Sequence, residues 1–250
     1  MPSLWFVVPA HGRERLTGIC LRQLRRTCDS LAENGIEASA VVVADDANLA
    51  VAAHLGFATV RRDNQFLSRR FNDGIQLALD PKWNPHRVDY VVPCGSDDWV
   101  DHRILLDLPD HNTVRGFQHI SFVREDGREI TSSVVSYEGG CGIRVYPRRL
   151  MTRLGYRPAD EDRKRACDTS ILMNVRHANP FVRIEHADTD PRQIVDWKTP
   201  GLQLNSYEGV SGFGRSHGDD PFTELAGWFP KQSLREMATH YNRSRERVLA

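Results

Sequence analysis

The five cysteines, Cys20, Cys28, Cys94, Cys141 and Cys167, form no CxxC pair, and their number is odd. They offer neither the paired ligands of a structural zinc site nor a disulfide framework, and they fit buried free thiols in a reducing cytoplasm. No apolar stretch approaches the roughly 20 residues that cross a bilayer. The N-terminus MPSLWFVVPAHGR lacks a basic segment before its apolar run and a small-residue cleavage site. The expectation is a soluble, cytoplasmic protein with no membrane partner. Formal net charge is zero, which removes any whole-molecule electrostatic argument for nucleic acid or acidic lipid. Lysine occurs only at Lys82, Lys164, Lys198 and Lys231, so arginine carries nearly all the basic charge. The guanidinium fork suits phosphate, although a GC-rich coding sequence gives the same bias without functional demand. There is no P-loop and no Gly-x-Gly-x-x-Gly after a strand, and the His-rich spacing of a metallohydrolase is missing.

With 250 residues, 40% of them hydrophobic, the chain can bury a large core in one domain. No repeat or linker divides it. Residues 4–8 form a continuous apolar run ending at Pro9, the pattern of a strand buried on both faces. Leu16, Ile19, Cys20, Leu24 and Leu31 recur at helical spacing before Gly35. Residues 40–44 read as a second buried strand, 47–55 as an Ala-rich helix stopped at Gly56, and 57–60 as a short strand. Leu67, Phe71, Ile75 and Ala78 mark another helix, and 88–92 a strand broken by Pro93. Such alternation predicts an α/β fold with a Rossmann-like, mostly parallel sheet, flanking helices and right-handed crossovers. Ligands in these sheets bind beyond the carboxyl ends of the strands. The polar residues there are His11-Gly12-Arg13, Asp45-Asp46 and Ser96-Asp97-Asp98.

The second half changes character. Residues 114–124 and 129–137 flank Asp126-Gly127 and read as a β-hairpin. A Gly-rich patch follows, then a helix from Pro147 with its stop near Gly155. Asp168 is placed to cap a helix over 169–175, and 181–184 reads as a strand. Residues 206–220, rich in Gly and Ser, read as a mobile loop, and 232–248 as a terminal surface helix.

Asp-Asp pairs occur at 45–46, 97–98 and 219–220, so context must separate them. Asp97-Asp98 follows a buried strand and the loop Pro93-Cys94-Gly95-Ser96. Two carboxylates at a strand end repel unless a cation or strong donors compensate. Mg2+ or Mn2+ bridging a diphosphate fits, since hard cations prefer carboxylate and phosphate oxygens. The plainer alternative is a solvated turn in which Asp97 caps the next helix.

On these residues, over roughly 4–176, the chain resembles the GT-A glycosyltransferases, particularly the family 2-like enzymes. Val8-Pro9-Ala10-His11-Gly12-Arg13 matches their first-strand segment, and Asp45 and Asp46 match the acidic residues that contact the nucleotide base. The segment 64–72, with Arg69, is similar to their basic helix start. Gly95-Ser96-Asp97-Asp98 stands where the family has Asp-x-Asp. The resemblance implies that Asp98 binds the metal and that Asp97 contacts ribose or metal, with Ser96 as a departure that weakens the case for the metal. It also implies nucleotide-sugar contacts from Pro9, Ala10, His11, Arg13 and Arg69. The halves then read as nucleotide-binding (1–100) and acceptor-binding (101–230), with a C-terminal helix over 231–250.

Gly139-Gly140-Cys141-Gly142 resembles the family's acceptor-side glycine patch. Leu154-Gly155-Tyr156 with Cys167-Asp168 is similar to its Gly-Gly-Phe … Glu-Asp arrangement. The resemblance makes Asp168 the catalytic general base of an inverting reaction, while metal stabilises the leaving diphosphate. A simple helix cap explains Asp168 equally well, and Asp160, Glu161 and Asp162 are rival bases. His217 is expected as a further metal ligand, with His186 its alternative. Residues 212–218 would form a lid over the donor, with Arg215 on a phosphate. Trp99, Tyr137 and Tyr207 suit either sugar stacking or packing.

The expected activity is sugar transfer from a nucleotide-diphosphate sugar, UDP favoured because an acidic group accepts from uracil N3–H. Compact enzymes resembling this one occur in phages, some acting on hydroxymethylated bases in DNA. Arg22, Arg25, Arg26, Arg69, Arg70, Arg148, Arg149 and Arg153 would suit such an acceptor, against a saccharide or other hydroxyl acceptor. A phage origin would place the protein in the host cytoplasm. The alternatives are a non-catalytic binding module on a decayed glycosyltransferase scaffold and a sugar nucleotidyltransferase, for which His11-Gly12-Arg13 is too short a phosphate loop.

Overall fold

The computed structural model describes residues 1–45, 47–123, 127–134, 143–164, 167–197, 213–216 and 220–241. The first stretch alternates as its apolar periodicity predicts: β1 (Ser3–Pro9), α1 (Glu14–Glu33), β2 (Glu37–Ala44), α2 (Asn48–His54), β3 (Ala58–Arg61), α3 (Leu67–Leu79) and β4 (Tyr90–Pro93). Then come β5 (Asp98–Val100), β6 (Thr113–Phe117), β7 (His119–Val123), β8 (Ile130–Val134), β9 (Arg144–Pro147), α4 (Arg148–Thr152), α5 (Cys167–Ala178), β10 (Arg183–Ala187), β11 (Ile194–Trp197), β12 (Phe213–Ser216), α6 (Pro221–Glu224) and α7 (Lys231–His240). Gly35 and Gly56 hold φ of 82° and 75° just past the ends of α1 and α2, the left-handed geometry that ends a helix most cheaply at glycine.

Seven strands form the main sheet in the order β10-β6-β9-β4-β1-β2-β3. Within it only β9 runs against the others. The mixed α/β architecture with a large, mostly parallel sheet and flanking helices is therefore the one expected. One apolar layer joins α1 to one face, through Leu4, Phe6, Val42 and Leu31. The other joins α3 and α5 to the opposite face, through Val7, Val43, Ile75 and Ile171. Strands buried on both faces explain the unbroken apolar runs.

A second sheet, ordered β12-β8-β7-β11-β5, stands beside the first. It corrects two expectations. Residues 114–124 are not one hairpin arm: β6 joins the main sheet and β7 the second, so that only β7 and β8 form the antiparallel pair. The chain switches at Gln118, whose N–H donates to Ala187 O. Within the expected loop 206–220, residues 213–216 form β12 against β8; the rest of that loop up to 219 lies outside the described residues. The terminal helix is not a surface element either. Leu234, Met237 and Ala238 of α7 are buried with Trp99, Trp197 and Phe222, and Arg22 and Arg26 of α1 reach Glu236 and Ser233.

Gly74 sets how closely α3 approaches the sheet. A Cβ there would overlap Val7 Cγ1 and lie 3.1 Å from Val43 Cγ2, and neither valine is exposed. Gly74→Ala will destabilise the protein by about 1–3 kcal/mol through overpacking, opposite in sign to the gain of roughly 1 kcal/mol that alanine brings to an open helix. Urea denaturation decides between the two, and a stabilised variant would remove this constraint.

Candidate functional site

β1 and β4 are adjacent and parallel, so their carboxyl ends open side by side. The chain leaves β1 through Ala10, whose N–H donates to Val43 O at 2.9 Å, and turns through Gly12 and Arg13, both left-handed. The buried Arg70 guanidinium donates to Ala10 O at 2.8 Å, and Asn48 Nδ2 to Gly12 O at 3.1 Å. This turn delivers Arg13 to the neighbouring strand end: Nη1 donates to Asp97 Oδ2 at 2.5 Å and Nη2 to Ser96 Oγ at 2.9 Å. Burial works to lower the Arg13 pKa, but the Asp97 carboxylate outweighs it and the net shift is upward. His11 pairs with Asp45 at 3.0 Å, and this hydrogen bond holds the Asp45 carboxyl below its ordinary value.

Asp97 follows β4 in the loop that enters β5, and Asp98 is the first residue of that strand. Gly95 N–H donates to Asp98 Oδ2 at 2.7 Å. A Cβ on Gly95 would stand 2.6 Å from that oxygen and 3.0 Å from Asp97 Oδ1, so glycine is what lets both carboxylates fold back over the loop. Asp97 does not cap a helix, because Asp98 opens a strand. β11 pairs antiparallel with β5, setting Asp196 opposite Asp98, and Trp197 N–H donates to Asp97 O at 3.0 Å. Carboxylate oxygens of Asp97, Asp98 and Asp196 all lie within 4.8 Å of one another. Three hard oxygen donors around one point, above a cradle that only glycine leaves open, fit Mg2+ or Mn2+. The nearby thiols of Cys20 and Cys94 are buried, and burial first, then the aspartates' charge, pushes both well up.

Asp196 was missed by sequence reasoning. Its signal was the Asp-Trp dipeptide, which occurs at 98–99 and again at 196–197. The structure pairs the two, with Trp99 and Trp197 in edge contact at 4.8 Å. Trp99 is fully buried, so it packs and presents no sugar platform.

Farther along the same sheet, Gly116 of β6 pairs with Arg144 of β9 on one side and His186 of β10 on the other. A Cβ on Gly116 would stand 3.1 Å from the His186 ring and 3.7 Å from Arg144 Cγ. Arg144 is buried, and its Nη1 lies 3.9 Å from Asp168 Oδ2. Asp168 is in the first turn of α5, one residue inside the helix that it was expected to cap. Its rivals are engaged elsewhere: Asp160 with Arg163 and Asn174, Glu161 with Arg157, Asp162 with Arg69. Arg69 thus turns to the 160s loop and stacks on Phe66, and Arg70 is the arginine that reaches the β1 end. Of the arginines suited to DNA, Arg22, Arg25, Arg26 and Arg69 also carry acidic partners. Asp46, the 139–142 glycine patch, Tyr137, Tyr207 and His217 lie outside the described residues, as do all but residues 213–216 of the expected lid.

Burial, then Arg144, lowers the His186 pKa below its ordinary value. The unfolded imidazole, near about 6.5, takes up a proton at a pH where the folded one does not. Stability will therefore fall as pH drops below about 6.5 toward the folded value, and His186→Gln will flatten that slope. Urea midpoints between pH 5 and 7 test it; an unchanged slope would show that His186 titrates alike in both states.

Comparison of the sequence with protein-family profiles and with curated proteins finds no match. Solved structures do match. Glucosyl-3-phosphoglycerate synthase from Mycobacterium tuberculosis, in complex with Mn2+, uridine diphosphate and glucosyl-3-phosphoglycerate, superposes with a TM-score of 0.51 at 12% identity, over 97% of this chain and 81% of that one. The same synthase with phosphoglyceric acid gives 0.51 at 11% identity with the same coverage. A Drosophila β1,4-galactosyltransferase 7 mutant with manganese, UDP-galactose and xylobiose gives 0.46 at 12% identity, over 83% of this chain and 74% of that one. Among the described residues no helix is long and apolar enough to cross a membrane. At these identities the likeness establishes the fold: the chain has the GT-A architecture of the synthase.

Proposed function

We propose that this protein is a glycosyltransferase that moves a sugar from a nucleoside-diphosphate sugar, UDP favoured, to an acceptor hydroxyl. One observation carries the reading: the Asp97, Asp98 and Asp196 carboxylates meet where β1 and β4 end, beside Arg13. That is where ligands bind in a sheet of this kind, and the synthase of like fold was solved with Mn2+ and uridine diphosphate.

The three aspartates would hold Mn2+ or Mg2+, which when bound neutralises the diphosphate leaving group. His11 and Asp45 face the nucleotide, the Asp45 carboxylate accepting from the base; Asp46 shares that role. Pro9, Ala10 and Ser96 shape the wall behind it. Asp168 acts as general base in an inverting transfer: it takes the acceptor hydroxyl's proton as that oxygen bonds to the anomeric carbon and the bond to the diphosphate breaks. The buried Arg144 guanidinium, 3.9 Å from Asp168 Oδ2, fixes the side from which the acceptor approaches. A small hydroxyl acceptor, a saccharide for example, is favoured over hydroxymethylated DNA, because four of the eight arginines that would track a phosphate backbone are paired with acids.

Calorimetric titration of UDP, GDP and their sugars, with Mn2+ and then with chelator, tests the donor site. The wild type will bind one nucleotide only with metal, and Asp98→Ala and Gly95→Ala will lose that binding while remaining folded. No nucleotide binding by a folded sample would sink the enzyme reading. Asp168→Asn will lower kcat by roughly 10²–10⁴-fold and leave donor affinity unchanged; a variant with full kcat would remove Asp168 as the base.

A further inference from the structure

Arg13 is set into the aspartate cluster against a conformational preference. Its backbone is left-handed, φ 49° and ψ 33°, a region that residues with a Cβ avoid. Gly12 before it is left-handed as well, and the two together bend the chain from β1 into α1. The result is a fork that grips the strand end after β4 at two points, Asp97 Oδ2 and the buried Ser96 Oγ. One of the three carboxylates that would hold a divalent cation is therefore already paired with a cation belonging to the chain.

Three carboxylates within 4.8 Å repel one another strongly when nothing offsets them. Arg13 offsets one charge, which keeps the cluster together without metal. An entering divalent ion meets that same guanidinium as a competitor and a like charge. A nucleoside diphosphate changes the balance, since its phosphates give the guanidinium a second anionic partner in bidentate geometry. We infer that Arg13 is an internal counter-ion that competes with the divalent cation for Asp97 and is released to the donor's diphosphate, so that metal binding is coupled to nucleotide binding. The inference rests on the glycosyltransferase reading for the identity of the two ligands and adds the residue that couples their binding.

The test titrates Mn2+ alone into the full chain, reading free Mn2+ by its electron paramagnetic resonance signal, for wild type, Arg13→Asn and Ser96→Ala. Asparagine tolerates the left-handed backbone and is too short to span the fork. Arg13→Asn will bind Mn2+ about tenfold more tightly than wild type, the size expected for removing a close charge, and UDP will raise its Mn2+ affinity less than it raises that of wild type. Mn2+ affinity in Arg13→Asn no higher than in wild type overturns the inference. Should Arg13→Asn fail to fold, Ser96→Ala decides: loosening one arm of the fork tightens Mn2+ binding, and an unchanged affinity overturns the proposal. A parallel UDP titration of wild type keeps the two readings apart. UDP binding with no gain in Arg13→Asn removes the counter-ion alone, whereas no binding of UDP or Mn2+ by any variant removes the glycosyltransferase reading with it.

Discussion

Electrostatic repulsion among Asp97, Asp98 and Asp196 is the constraint around which the carboxyl edge of the sheet is organised. Carboxylates this close stay ionised together only where positive charge or fixed donors face them. The backbone meets part of this demand through Gly95 N–H, and Arg13 meets another part. The β5–β11 ladder supplies the rest by rigidity, because its register forces Asp196 to stand opposite Asp98. Beneath the ladder, Trp99 and Trp197 pack edge to face among Phe222, Phe229 and Leu234. Apolar packing of the two tryptophans thus holds in place the acids that precede them in sequence.

Much of the main sheet was legible in the sequence, because strands buried on both faces are continuous apolar runs with few competing interpretations. β1, β2, α1 and α3 follow directly from residues such as Val41–Val43 and the spacing of Leu67, Phe71 and Ile75. The second sheet was not legible. Its strands β5 and β11 are only three and four residues long, too short for alternation to register, and their pairing joins distant parts of the chain. The break at Gln118 was equally hidden, since β6 and β7 read as one run although they serve different sheets.

The site shows the same division. Asp97, Asp98, Arg13, His11 and Asp45 stood out as candidates because they follow legible strands, and the structure brings them to one edge. Asp196 was missed because its one signal, the Asp-Trp dipeptide shared with 98–99, gains meaning only once the two strands are seen to pair. Arg69 and Arg70 were indistinguishable by composition. The helix geometry separates them, sending one to Asp162 and the other to Ala10 O.

The β5–β11 pairing also sets when the acid cluster can exist during synthesis. Asp97 and Asp98 leave the ribosome long before Asp196, by roughly 5–20 s at ordinary elongation rates. Over that interval the nascent chain can lay down β1 to β4, while β5 waits without its neighbour and Trp99 without its aromatic cover. The three carboxylates therefore never stand together on the growing chain. Their mutual repulsion arises only as the second sheet closes, so the packing of that sheet has to overcome it in a single late step.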